Sequence, residues 1–253
     1  MAKRGRSQGL ITLPWAVMRI HEYLARSDGS VGTFLRRNNT NIFSREWDLL
    51  IILDACRIDT LWELSTDSKF SIFDERGSIR SVGAYSKQWM ERTFVEEYSD
   101  EVAKTVYINA NPHSGLCLSD IGFQQLDDMW KTNWDDDLGT IPPEPLTDRA
   151  IRVGREDDPD QMIVHYMQPH FPSIPHPELE SGINLNRIGS KWEGNVWDRL
   201  REGEIEQESV KQAFEDNLRY VIKEVQRLLE NTDAEAAVVT SDHGTAFGER
   251  GFY

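Results

Sequence analysis

Residues 47–53 read WDLLIIL, a nearly unbroken apolar run of strand length that closes on a carboxylate, Asp54. A strand with one wet face alternates polar and apolar residues, whereas a continuous Leu/Ile run must be covered on both sides, as in a parallel sheet. Residues 234–240 (AEAAVVT) make a second such run and end on Ser241, Asp242 and His243. Shorter strands are expected at 70–73, 102–108 and 161–167. Helices are expected from Asp59, over 86–98, over 146–155 and over 209–230. In the last of these, Val210, Phe214, Leu218, Val221, Val225 and Leu228 recur at spacings of three and four. Strands alternating with helices predict an α/β fold: a mostly parallel central sheet with helices on both faces. The four prolines of 168–177 (QPHFPSIPHP) predict a loop, and 119–145 predicts an irregular excursion whose DDDLG stretch is a solvated acidic loop.

Composition removes several classes of function. The chain carries 43 acidic against 28 basic side chains, a net charge of −15, which repels phosphate backbones and argues against a nucleic-acid partner. Only eight of the basic residues are lysine, and an acid-rich, lysine-poor chain resembles proteins of high-salt cytoplasms. Cys56 and Cys117 lie too far apart in sequence for a paired metal motif and are too few for a disulfide framework. No apolar run reaches transmembrane length. Residues 1–44 read as an N-terminal helical extension to an α/β domain over 45–253. Within the extension an amphipathic helix is expected over 14–25, the alternative being a weak membrane-surface contact through Lys3, Arg4, Arg6 and Trp15. The apolar stretch from Leu10 is interrupted at Arg19 and lacks a small-residue cleavage site, so a cytoplasmic chain is expected.

In open α/β sheets ligands gather beyond the carboxyl ends of the strands. That rule selects Asp54 after the first run and Asp242 with His243 after the last, an O/N donor set suited to a divalent ion. The bland alternative for each is a turn or a helix cap.

The segments ILDACRIDTL (52–61) and VVTSDHGTAFGERG (238–251) resemble two blocks of the alkaline phosphatase superfamily, especially its sulfatase-like branch. GSIRSVGAYSKQW (77–89) and HYMQPHFPSIP (165–175) fall between them in the family's order, so the resemblance spans 45–253. It implies an alkaline-phosphatase-like domain with one divalent ion (Mn, Zn, Mg or Ca) on Asp54, Asp242, His243 and the nucleophile, Ser86. The alternatives at that position are that Ser86 merely caps a helix, or that Ser81 or Tyr85 takes its place. By the same resemblance His170 would face the leaving group. His165 could equally be that site residue and touch substrate, and Arg57 would grip a phosphoryl oxygen unless it pairs with Asp59 or another acid. From their place at a strand end in NANPHSG, Asn111 is expected to touch substrate and His113 to line the pocket. The implied activity is phosphate-ester hydrolysis or transfer on a phosphorylated or sulfated small molecule, glycan or lipid head group. Sulfoester hydrolysis and an inactive metal-binding scaffold are the alternatives. The chain departs from the family pattern in three places. Ser86-Lys87-Gln88-Trp89-Met90 lacks the Pro and Arg of the sulfatase segment, Thr245 stands where relatives carry Glu, and the chain stops at Tyr253, implying a shortened C-terminal part.

Overall fold

The computed structural model describes residues 9–12, 39–66, 70, 75–179, 182–188 and 195–252. Seven strands form one sheet: β1 (Gly9–Thr12), β2 (Leu49–Asp54), β3 (Glu75–Arg76), β4 (Thr105–Asn109), β5 (Gln125–Asp128), β6 (Gln161–Pro169) and β7 (Ala236–Thr240). Their order is β3-β1-β7-β2-β6-β4-β5, and every pairing is parallel. The helices of seven or more residues are α1 (Ile58–Leu64), α2 (Ser86–Thr93), α3 (Glu144–Glu156), α4 (Val196–Glu202) and α5 (Gln207–Glu230). No described helix is long and apolar enough to cross a membrane.

The continuous apolar run of β2 is buried along its whole length because it lies between β7 and β6 with helices on either side. Leu49, Ile51 and Leu53 point to one face, where Leu146, Ala150 and Val153 of α3 pack beside Leu218, Val221, Ile222 and Val225 of α5. Leu50 and Ile52 point to the other, against Trp89 and Met90 of α2 and the aromatic group Phe43, Trp47 and Phe94. A third cluster, centred on Phe171, Phe214 and Phe247, seals the loop after β6 against α4 and the start of α5.

The 44/45 boundary does not divide the molecule. Gly9–Thr12, expected within a helical extension, is a strand paired to both β7 and β3, and Ile42 and Phe43 are buried in the core beside α2. A short apolar segment cannot be assigned to helix or strand by periodicity alone. The helix expected over 14–25 and the basic residues proposed for a membrane surface lie outside the described residues, as does most of the strand expected at 70–73. The helix expected over 86–98 stops at Thr93, and a single 3-10 turn, Glu96–Tyr98, follows it. The excursion at 119–145 includes β5, a four-residue edge strand with no fully buried position, which explains its weak apolar signal.

Register decides what gathers above the sheet. Thr240, Ile52, His165 and Asn109 are aligned across β7, β2, β6 and β4, all on the α2 face. Because side chains alternate along a strand, two residues further on the same face come Asp242, Asp54 and Asn111. On this face Gly83 passes so close to α2 that an added Cβ would lie 2.3 Å from the Trp89 backbone nitrogen and 2.5 Å from its Cα. Gly83→Ala must therefore push α2 away from the sheet. It is expected to lower stability by about 1–3 kcal/mol, read as a reduced urea midpoint.

Candidate metal centre

β2 ends in a sharp turn. Ala55 adopts a left-handed conformation, φ 57°, which costs a non-glycine residue about 1–2 kcal/mol. Two buried hydrogen bonds hold it there. The Ala55 N–H donates to Asp242 Oδ1 at 3.0 Å and the Cys56 N–H donates to Ser241 Oγ at 2.9 Å. The His243 N–H donates to the same Asp242 oxygen at 2.8 Å, and the Ser81 hydroxyl donates to the Asp242 carbonyl. The ends of β2 and β7 are thus tied together by Ser241 and by Asp242, the second of which the strand-end rule selects.

Asp54, Asp242 and His243 are all buried, and one donor atom from each lies within 4.8 Å of the others, so this group could hold a metal ion. His243 Nε2 is 3.4 Å from Asp54 Oδ1 and 3.6 Å from Asp242 Oδ2. Ser86 is the first residue of α2, with Tyr85 as the helix cap. Its hydroxyl points instead at the cluster, 3.3 Å and 3.4 Å from the two Asp54 oxygens and 3.3 Å from His243 Nε2. Asn111 donates from Nδ2 to Asp54 Oδ2 at 2.6 Å, while its own Oδ1 accepts the His113 N–H at 2.9 Å. His113 therefore stands behind Asn111, its ring Nδ1 3.0 Å from the same amide oxygen.

His165 is fully buried beneath the cluster, with Nδ1 2.7 Å from the Tyr107 hydroxyl. Its Nε2 lies 3.8 Å from Asp242 Oδ2 and 4.0 Å from Asp54 Oδ2, too far for a hydrogen bond. Both His165 Nε2 and Asp242 Oδ2 are buried without a hydrogen-bond partner. Leaving such atoms unpaired costs about 1–3 kcal/mol each, more for a charged group, and a cation between them relieves both.

The protonation pattern follows from this crowding. Burial opposes a charge on His243, but the Asp242 carboxylate and the contact with Asp54 outweigh it and push the imidazole up to about 10. Burial alone would raise Asp54; the His243 hydrogen bond and the nearby charge of His170 hold it below the ordinary carboxylate range. For His165 burial dominates and lowers the value, which favours the neutral ring. Burial, with Asp59 adding to it, pushes the Cys56 thiol far up, which disfavours its thiolate.

The remaining expected site residues lie further out. Arg57 is not directed at the cluster. Its guanidinium contacts Asp59 at 2.5 Å and Glu249 at 2.7 Å, donates to the Thr245 carbonyl at 3.1 Å, and stacks 4.9 Å from the Phe247 ring centroid. The fork expected to grip a phosphoryl oxygen is taken up by carboxylates, the alternative weighed from its proximity to Asp59. His170 is partly exposed in the proline loop, with Nδ1 against the Phe171 carbonyl.

The residue that fixes this loop was not expected from sequence, because it hides in the apolar stripe of α5. Asn217 donates to the carbonyls of Pro169 (3.2 Å), His170 (3.2 Å) and Pro172 (3.4 Å) and accepts the Ile174 N–H at 3.2 Å. Prolines lack N–H donors, so the segment has few ways to pair its own carbonyls. Asn217→Ala is expected to cost about 1–3 kcal/mol by stranding these groups and to open the 168–177 segment to limited proteolysis before the rest of the fold.

No family model, curated protein or solved structure matches this chain.

Proposed function

We propose that the chain is a metal-dependent phosphoric-ester hydrolase or transferase, of the sulfatase-like alkaline phosphatase type, with Ser86 as its nucleophile. The observation that carries this reading is the position of the Ser86 hydroxyl. It lies 3.3 Å from His243 Nε2 and 3.3–3.4 Å from the Asp54 oxygens, at the first residue of a helix whose cap is a different residue. A serine needed only for capping would turn back to its own helix. Unpartnered buried atoms on Asp242 and His165 and two neighbouring buried carboxylates fit a cation at the same place.

Asp54, Asp242 and His243 would hold a divalent ion, whose chemistry there would be to favour the alkoxide of Ser86 and to offset negative charge on the phosphoryl oxygens. The chain's own groups then have separable tasks. Asn111 holds the Asp54 carboxylate by its 2.6 Å hydrogen bond. The start of α2 directs backbone N–H groups toward an anion in front of Ser86. Ser86 gives up its hydroxyl proton to solvent, Oγ forms a bond to phosphorus while the bond to the ester oxygen breaks in line, and His170 donates a proton to the departing alcohol. Water, or an acceptor alcohol in the transferase case, then gives a proton to His170, attacks the phosphoserine and releases Oγ, which regains a proton from solvent. The substrate class is a phosphorylated small molecule, glycan or lipid head group.

The test is hydrolysis of aryl phosphate mono- and diesters by the chain in high salt, where self-repulsion from the −15 charge is screened. Turnover is expected to disappear with a chelator and return with one of Mn, Zn, Mg or Ca. Ser86→Ala is expected to lower kcat by on the order of 10³ or more while the protein keeps its ion. Unchanged turnover in Ser86→Ala removes the nucleophile assignment, and a folded, ion-loaded chain without turnover favours the inactive scaffold.

A further inference from the structure

We propose that His165 is a further protein ligand of the ion, adding a second imidazole to Asp54, Asp242 and His243 while leaving Ser86 Oγ room to bind, and that Tyr107 orients it. The inference rests on a metal at this centre and goes beyond the three-residue donor set.

Three observations carry it. The first is placement: His165 is on the strand adjacent to β2, on the same face as the other donors, fully buried and therefore closed to water that would satisfy it. The second is the pairing of its ring nitrogens. Nδ1 is engaged by the Tyr107 hydroxyl at 2.7 Å, while Nε2 has no hydrogen-bond partner. A ring whose Nδ1–H donates to the tyrosine oxygen presents a bare lone pair at Nε2, as a metal-bound histidine held by an outer partner does. The other tautomer places an Nε2–H against two carboxylates it does not reach, at 3.8 Å and 4.0 Å.

The third observation is spacing. A tetrahedral ion with bonds of about 2.0–2.2 Å holds its donors about 3.4 Å apart. The contacts around the two carboxylates start at that spacing and widen: 3.4 Å and 3.6 Å on the His243 side, 3.8 Å and 4.0 Å on the His165 side. Asp242 Oδ2, itself without a hydrogen bond, stands between the two imidazoles. His165 must move inward to join the close donor group of Asp54, Asp242 and His243, and a cation there then gives both orphaned atoms the same partner. Two imidazoles with two carboxylates select zinc or a neighbouring transition ion over calcium and magnesium, which favour all-oxygen sites.

The test is Co(II) titration of the chelator-stripped full chain in high salt, reading the visible ligand-field spectrum, with Zn(II) affinity measured by competition against a chromophoric chelator. The wild type is expected to take up one Co(II) with a four- or five-coordinate spectrum and to resist displacement by excess Ca(II). His165→Ala is expected to lose tenfold or more in affinity and to show an altered spectrum. Tyr107→Phe, which keeps the ring and removes only the hydroxyl, is expected to lose about tenfold, the usual effect of deleting an outer partner. Near-UV circular dichroism verifies the tryptophan packing of each variant. Should His165→Ala fail to fold, Tyr107→Phe decides. Unchanged Co(II) affinity and spectrum in the folded variants overturn the proposal. Phosphoester turnover with a spectrum indifferent to His165 overturns this inference alone. His165-dependent binding without turnover upholds it and removes the enzymatic reading, and a wild type that binds no ion overturns both.

Discussion

Two carboxylates brought together where water is scarce repel each other and forfeit hydration, and the upper end of this sheet is organised around that conflict. Asp54 and Asp242 stand at the ends of adjacent parallel strands on one face, so register alone makes them neighbours. Each is countered separately: Asp54 by Asn111, Ser86 and His243, Asp242 Oδ1 by the N–H groups of Ala55 and His243. A protonated His243 cancels one of the two charges and leaves a buried excess of negative charge; an ion held through His243 Nε2 would take the place of that proton and offset both carboxylates. The left-handed turn at Ala55 is part of the same arrangement, since it is what aims a backbone N–H at Asp242.

Arg57 shows how the surroundings support this centre without belonging to it. Its contacts join the start of α1 to Thr245, Phe247 and Glu249, the segment that follows His243. Phe247 in turn packs on Phe214 and Trp197, the cluster that carries the proline loop. The guanidinium therefore braces two loops that flank the donors, and its charge is neutralised locally by Asp59 and Glu249.

The parts legible in the sequence are those whose chemistry is written in uninterrupted patterns. The WDLLIIL run announces a strand buried on both faces, and parallel-strand geometry then marks Asp54, Asp242 and His243. The stripe of α5 is equally plain. Ser86 stands out only through the family resemblance, and the two roles open to Arg57 are separated only by neighbours from distant sequence. The unreadable parts have physical reasons. β5 is an edge strand that buries none of its four residues fully, so it carries little alternation. Tyr107 reads as an ordinary core aromatic, and its pairing with His165 depends on the register of β4 with β6. Asn217 looks like an interruption of an apolar stripe, because the carbonyls it serves are brought to it by a loop more than forty residues away in sequence.

Strand order also bears on how the chain reaches this state. β7, the last described strand in sequence, is an interior strand, inserted between β1 and β2. Asp48 marks the join at one end, accepting the N–H groups of Glu235 and Ala236, and Asp242 marks it at the other through Ala55. During synthesis, β2 emerges from the ribosome almost two hundred residues before the strand that covers its flank. Until then it presents an unpaired, fully apolar edge, the kind of surface that invites aggregation or capture by chaperones. The sheet cannot be completed, nor Asp54 meet Asp242, before the chain has been made through β7 and the residues after it.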